Sequence, residues 1–178
     1  MWTEAEITRV TELLHKQLGV TYAIGGFKDG RYVERGKPSI SNTKPDEFDC
    51  SGLTRWIVAQ GRDENGKVTV LPHGTGAQIA FCKPLALQKP RRLDLGFADM
   101  DKSGTVDHVV VVCDGSNVIE ARGKQKGKDY GKVIMRPMTA WEAWGGFMGW
   151  WEVPGIYGDV QGGAHGDTEL GPGEAAPA

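Results

Sequence analysis

The chain has 178 residues and a mass of 19.3 kDa, the size of one domain with room for an appendage, and long enough to bury a core without metal or disulfide support. Its 39% hydrophobic and 25% charged residues describe an ordinary folded protein, and no apolar run approaches the ~18 residues of a membrane span. A net charge of −2 with no basic stripe excludes a dedicated nucleic-acid binder, and three cysteines without Cys-x-x-Cys spacing argue against a disulfide framework or a zinc knuckle.

The opening residues, Met1-Trp2-Thr3-Glu4-Ala5-Glu6, lack the basic start and apolar centre of an export signal. Thr3-x-x-Glu6 instead reads as a capping box, and Ile7, Val10, Leu14 and Leu18, with Leu13, recur at helical spacing up to Gly19. Asp29-Gly30 between aromatic residues predicts a small hairpin, and the polar stretch 34–47, with Pro38 and Pro45, reads as loop. A second helix is expected from Asp49 or Cys50, burying Leu53, Trp56 and Ile57 and ending at Gly61. Asp63 to Gly66 reads as a turn, Val68 to Leu71 as a short strand, and Gly76 to Cys82 as a short helix. Val109 to Cys113 is apolar on both faces, hence central in its sheet, and Asp114-Gly115-Ser116 turns it into Asn117 to Ala121. Val133 to Met135 and Gly149 to Val153 complete the expected strands, and Trp141, Trp144, Phe147, Trp150 and Trp151 read as core. Beyond this body, residues 158–178 are rich in Gly, Pro and Ala, carry Asp159, Asp167, Glu169 and Glu174 without a Lys or Arg, and read as a flexible acidic tail to a domain of residues 1–157.

Three residues invite chemistry. Cys82 and Cys113 stand in apolar surroundings and read as small core hydrophobes. Cys50 stands in Asp49-Cys50-Ser51-Gly52 at a helix start, where the dipole and unpaired N–H groups favour an anion; a reactive and a structural cysteine both fit that position. His108 opens the central strand, where a general base or a satisfied edge histidine could sit. If 114–116 is a three-residue loop, Cys113 opposes Asn117 and Glu120 opposes Val110, so Glu120 and His108 become diagonal neighbours on one face. Glu120 could then orient the imidazole, or simply face solvent. Asp99-x-Asp101-x-Ser103-Gly104 resembles the start of a calcium loop, but Val110 occupies the twelfth position where the bidentate acid belongs, so no metal is expected. Arg122-Gly123-Lys124-Gln125-Lys126-Gly127-Lys128 could attract carboxylates or form a solvated arm.

Together these segments resemble the NlpC-type cell-wall cysteine peptidases, a papain-like group. Asp49-Cys50-Ser51-Gly52-Leu53 looks like the family's nucleophile motif, and Val20-Thr21-Tyr22-Ala23-Ile24-Gly25-Gly26 resembles its Tyr-x-Trp-Gly-Gly segment, with Ile24 in place of Trp. Leu71 to Gln78, His108 to Ala121 and Phe147 to Pro154 resemble later segments, so the likeness spans about residues 5–154. It implies an α+β fold with a Cys-bearing helix packed on an antiparallel sheet bearing His. It implies hydrolysis of peptidoglycan stem peptides, often after the γ-linked D-glutamate, by a monomer without cofactor. Cys50 becomes the nucleophile, His108 the base and Glu120 the third polar residue; Tyr22, Asp49 and Ser51 become substrate-binding residues. The third position is more often His, and the 22 residues between Gly26 and Asp49 form an insertion that could be a lid or a plain surface loop. Without an export signal, the enzyme is expected to reach the wall after lysis, in a phage particle or through a secretion machine. An N-acetylmuramoyl-L-alanine amidase, a thiol acyltransferase and an inactive wall-binding or phage structural component are the alternatives.

Overall fold

The computed structural model describes residues 1–28, 31–86 and 88–158. The expected tail therefore lies outside the described residues except for Gly158, as does the tip of the expected hairpin at Asp29-Gly30.

Helix α1, Glu4–His15, starts where the sequence places it: the Thr3 hydroxyl accepts the Glu6 N–H at 3.2 Å. The reciprocal half of the capping box is absent, because the Glu6 carboxylate is taken by the Arg9 guanidinium and the Arg62 N–H. Ile7, Val10, Thr11 and Leu14 are buried, whereas Leu18 lies beyond the last turn and is 41% exposed. Strand β1, Thr21–Tyr22, follows, and β2, Gly26–Lys28, pairs antiparallel with β3, Arg31–Val33, as the expected hairpin. Strand β4, Glu47–Phe48, leads directly into α2, Cys50–Ala59, capped by Asp49, whose Oδ1 accepts the Gly52 N–H at 2.6 Å. Such a cap contributes about 1 kcal/mol.

From Arg35 to Glu47 the segment before α2 is held by hydrogen bonds and an ion pair. It folds back on the helix: Trp56 Nε1 donates to the Asn42 carbonyl, Gln60 Nε2 to the Ile40 carbonyl, and Arg35 pairs with Glu47. Gly36 sits at φ +71° with its carbonyl accepting the Asp49 N–H. A Cβ on Gly52 would lie 2.0 Å from that carbonyl oxygen, so a glycine in the first turn is what lets this strap lie against the helix.

Residues 68–71 do not form a strand; Leu71 is fully buried, but this stretch joins no ladder. Helix α3, Thr75–Phe81, and β5, Lys83–Pro84, precede β6, Leu95–Ala98, a fully buried strand that the sequence reading omitted. Strands β7, His108–Val112, β8, Asn117–Arg122, and β9, Lys132–Pro137, continue the sheet. A short unanticipated helix, α4, Met138–Glu142, and the closing strand β10, Phe147–Glu152, complete the described chain.

The fold is α+β. The main sheet has eight strands in the order β4-β1-β9-β8-β7-β6-β10-β5, antiparallel except for the β1–β4 pair. On one face, Val109, Val111, Ile119 and Ala121 meet α1 and α2 in the larger core. On the other, Val110, Val112 and Val118 meet Met138 and Trp141 from α4, with Trp144, Phe147 and Trp150 packed around them. Of the aromatic cluster expected in the core, Trp141 is buried, whereas Trp144, Phe147, Trp150 and Trp151 are half-buried against the two cores, and Trp141 and Trp144 also reach the site.

Candidate active site

The β7–β8 register pairs Val111 with Ile119 and Val112 with Val118, and Cys113 N–H donates to the Asn117 carbonyl, as a loop at 114–116 demands. Continued along the strands, this register sets Glu120 opposite Val110 and diagonal to His108. The two side chains meet: His108 Nε2 and Glu120 Oε2 are 2.6 Å apart, with the carboxylate fully buried.

Helix α2 packs on the opposite face of the sheet and brings Cys50 to the mouth of β7. Cys50 Sγ lies 3.9 Å from the carbonyl oxygen of Asp107, the residue before His108. Burial by itself would lower the His108 pKa, but the charge and hydrogen bond of Cys50, then those of Glu120, outweigh it and raise the value to about 9. Glu120 moves the other way. Burial would raise its pKa, but the His108 hydrogen bond and charge, with Arg122 and Arg136, bring it below its ordinary value.

The expected substrate residues surround the thiol. Tyr22 is half-buried; burial, with Cys50 and Asp49 nearby, pushes its phenol up to about 12, so it keeps its proton at neutral pH. The Tyr22 ring rests near Gly123, where a Cβ would touch it at 3.4 Å. Asp49 and Ser51 are buried, and Ser51 Oγ donates to Asp49 Oδ1 at 3.0 Å. Burial raises the Asp49 pKa against the pull of these hydrogen bonds and of Lys37 and His73. Asp49 thus also caps α2, and Ser51 holds the capping carboxylate.

A cleft of about 460 Å³ opens beside His108, walled by Met100, Arg122, Gly123, Lys124, Gln125 and Trp144. The first half of the basic run is therefore cleft wall rather than a detached arm. Two residues around the pair were not foreseen. Arg136 Nη1 lies 3.5 Å from Glu120 Oε1, as Arg122 Nη1 lies 3.4 Å from Oε2. Trp141, 2% exposed, stacks on the His108 ring at 5.4 Å between centroids and 12° between planes. A buried strand carboxylate signals that cations must lie near it. The connection 123–131 between β8 and β9 turns at Gln125–Lys128, but it is too long for its sequence to fix which β9 residue faces Glu120.

Among the described residues, two groups of side chains have donor atoms close enough to share a metal. Asp99, Asp101 and Asp107 bring carboxylate oxygens within 4.8 Å, and so do the donor atoms of His15, Cys113 and Asp114. In the first group the oxygens already accept the N–H groups of Ser103, Gly104 and Met100, which closes the loop as the calcium-like pattern suggested.

No family model matches the chain. No curated protein matches its sequence. Solved structures do match. A NlpC/P60 family protein from Bacillus cereus aligns with 83% of this chain and 40% of its own, at 18% identity and a TM-score of 0.56. A lipoprotein-like NLP/P60 family protein from Staphylococcus aureus aligns with 85% of this chain and 42% of its own, at 18% identity and a TM-score of 0.54. NlpC2 from Trichomonas vaginalis aligns with 83% of this chain and 47% of its own, at 18% identity and a TM-score of 0.51. The chain thus spans less than half the length of each. What they share with it is the fold, the papain-like NlpC/P60 arrangement of helices on an antiparallel sheet.

Proposed function

We propose that the chain is a peptidoglycan hydrolase of the NlpC/P60 type that cleaves stem-peptide bonds, after γ-linked D-glutamate, through an acyl-enzyme on Cys50. The observation that carries this reading is the convergence of α2, β7 and β8: Cys50 Sγ 3.9 Å from the carbonyl oxygen of the residue before His108, and His108 bonded to the buried Glu120. The pieces of the sequence resemblance come together in space, in the fold that the resemblance implies. The alternation of apolar and polar residues alone would not require it.

In this mechanism the imidazole takes the Cys50 proton, and the sulfur attacks the scissile carbonyl carbon. The C–S bond forms as the C–N bond breaks, and imidazolium gives its proton to the departing amine. Water then attacks the thioester with His108 as base, releasing the carboxylate and restoring the thiol. Tyr22, protonated, donates to the oxyanion, together with the Cys50 N–H at the start of α2, which has no acceptor within the helix. Glu120 holds His108 Nε2 so that Nδ1 is left for the sulfur. Asp49 and Ser51 receive the amine end of the substrate. No step needs a metal or an organic cofactor.

The test is incubation with purified peptidoglycan and mass spectrometry of the released fragments, with Cys50→Ala as control. New amino termini on the residue after D-glutamate are expected. Stem peptides freed intact from muramic acid would make the chain an amidase, and no release that depends on Cys50 would make it a binder.

A further inference from the structure

The proposed mechanism uses Cys50, His108 and Glu120, and leaves an unusual amount of structure behind them. Glu120 is fully buried and touches two guanidiniums as well as the imidazole, Arg122 from its own strand and Arg136 from β9. Arg136 pairs with Val118 and Glu120 with Ile134 in the β8–β9 ladder, so Arg136 and Glu120 are diagonal neighbours. Both guanidiniums lie over the Trp141 ring, with carbons 5.5 Å and 5.4 Å from its centroid, and that ring also stacks on His108. One indole thus serves as a platform for the base and for both cations that restrain its carboxylate. Its Nε1 is buried without a hydrogen-bond partner, so a Phe would fill a purely packing role without that penalty.

We infer that Arg136, seated on Trp141, is a positioning residue that fixes the Glu120 carboxylate and draws off part of the charge it presents to His108; this rests on the reading of Cys50 and His108 as the reacting pair. The charge balance gives the direction. The groups facing His108 are Cys50 from α2 and Glu120 from β8, with Asp107 preceding it in the chain. Those facing Glu120 are His108, Arg122 and Arg136. Each arginine takes part of the Glu120 charge that would otherwise act on the imidazole. Removing one leaves that charge turned more fully on His108, so the imidazolium holds its proton to higher pH, while a carboxylate with one restraint fewer orients the ring less well. Arg122 also forms the wall of the open cleft, where substrate contacts would mix with any such effect. Arg136 lies on the neighbouring strand and gives the cleaner probe.

The experiment follows the His108 ring by NMR titration in the full chain, beside the pH dependence of Cys50 alkylation by iodoacetamide. Neither readout needs a wall substrate. Arg136→Gln is expected to move the His108 midpoint, and the inflection that loss of its proton leaves in the alkylation rate, to higher pH by about half a unit to one unit. Arg136→Lys, which keeps the charge, should restore the midpoint. On a cleavable muropeptide, Arg136→Gln should lower kcat with little change in KM. If Arg136→Gln does not fold, Arg136→Met removes the same charge and keeps the stem packing on Trp141. A lower melting temperature with an unmoved His108 midpoint would make Arg136 a purely structural residue and overturn the inference. The titration decides this whether or not peptidoglycan is cleaved, so its failure is distinguishable from failure of the proposed function.

Discussion

Cys50, Cys82 and Cys113 are hidden to similar degrees, at 8%, 7% and 1% exposure, so access does not single out a nucleophile. Their surroundings do. Burial, with Asp94 or Asp114 adding to it, pushes the thiols of Cys82 and Cys113 up to about 12, whereas Cys50 stands at the start of α2, at the mouth of the strand that His108 opens. Iodoacetamide at neutral pH should therefore alkylate Cys50 first, as peptide mapping would show, and faster labelling of either other cysteine would remove Cys50 as nucleophile. Glu120→Gln keeps the shape of the third residue and removes its charge. It should cut kcat/KM by roughly 10- to 1,000-fold and lower the His108 pKa, narrowing the alkaline side of the activity profile. From the sequence, such a change looks harmless to stability, because an amide can still accept the histidine's hydrogen bond. The structure reverses that expectation. Arg122 and Arg136 would lose the charge that neutralises them, so a loss of about 1–3 kcal/mol is expected in denaturant melts. Stability of the wild type should follow the same pair. His108 is raised from 6.5 to about 9, so its contribution is complete below about 6.5 and lost as pH rises through 9. Glu120 is lowered from 4.5, so its contribution is complete above that value and lost as pH falls through the lowered one.

Which elements could be read in advance depended on whether their signals were local. Helix α1 has its cap and apolar period within one stretch, α2 has Asp49, and β7–β8 has a turn short enough to fix register, so Glu120 could be placed beside His108 from spacing alone. Strands β1, β4 and β5 are two residues each, too short to show a period, and exist because neighbours offer an edge. Strand β6 was hidden by Gly96, which resembles punctuation in a sequence but leaves room for the Trp150 ring, 2.6 Å from where a Cβ would stand. Arg136 and Trp141 escaped because their partners lie across a long connection and on another element. The insertion before α2 was legible as polar loop, yet its attachment to the helix depends on two glycines 16 positions apart meeting backbone to backbone. Gly52→Ala tests that contact. The methyl must displace the strap from the turn that carries Cys50, and a loss of about 1–3 kcal/mol with reduced Cys50 alkylation is expected. Unchanged melting and alkylation would show that the strap yields without cost.

Across the whole molecule, the sheet divides the site. Cys50, the proposed nucleophile, comes from the helical layer on one face, and His108, the proposed base, is steadied from the other by Glu120, the arginines and Trp141. The chain closes on itself where the Trp2 N–H donates to the Ile156 carbonyl, both side chains buried, so the first and last described segments belong to one core. Strand β7, buried along its whole length and paired on both sides, is the common support of both halves. Its amides should open to solvent only when the entire fold does. Native-state hydrogen exchange should accordingly find Val109 to Val112 among the slowest positions, at the free energy of global unfolding, with His108 held by the same barrier. Catalytic competence and cooperative unfolding would then be lost in one denaturant transition. Such a protein has no softened, half-open form in which the base has drifted but the body survives, and it would persist in a hostile medium at full strength until it fails all at once.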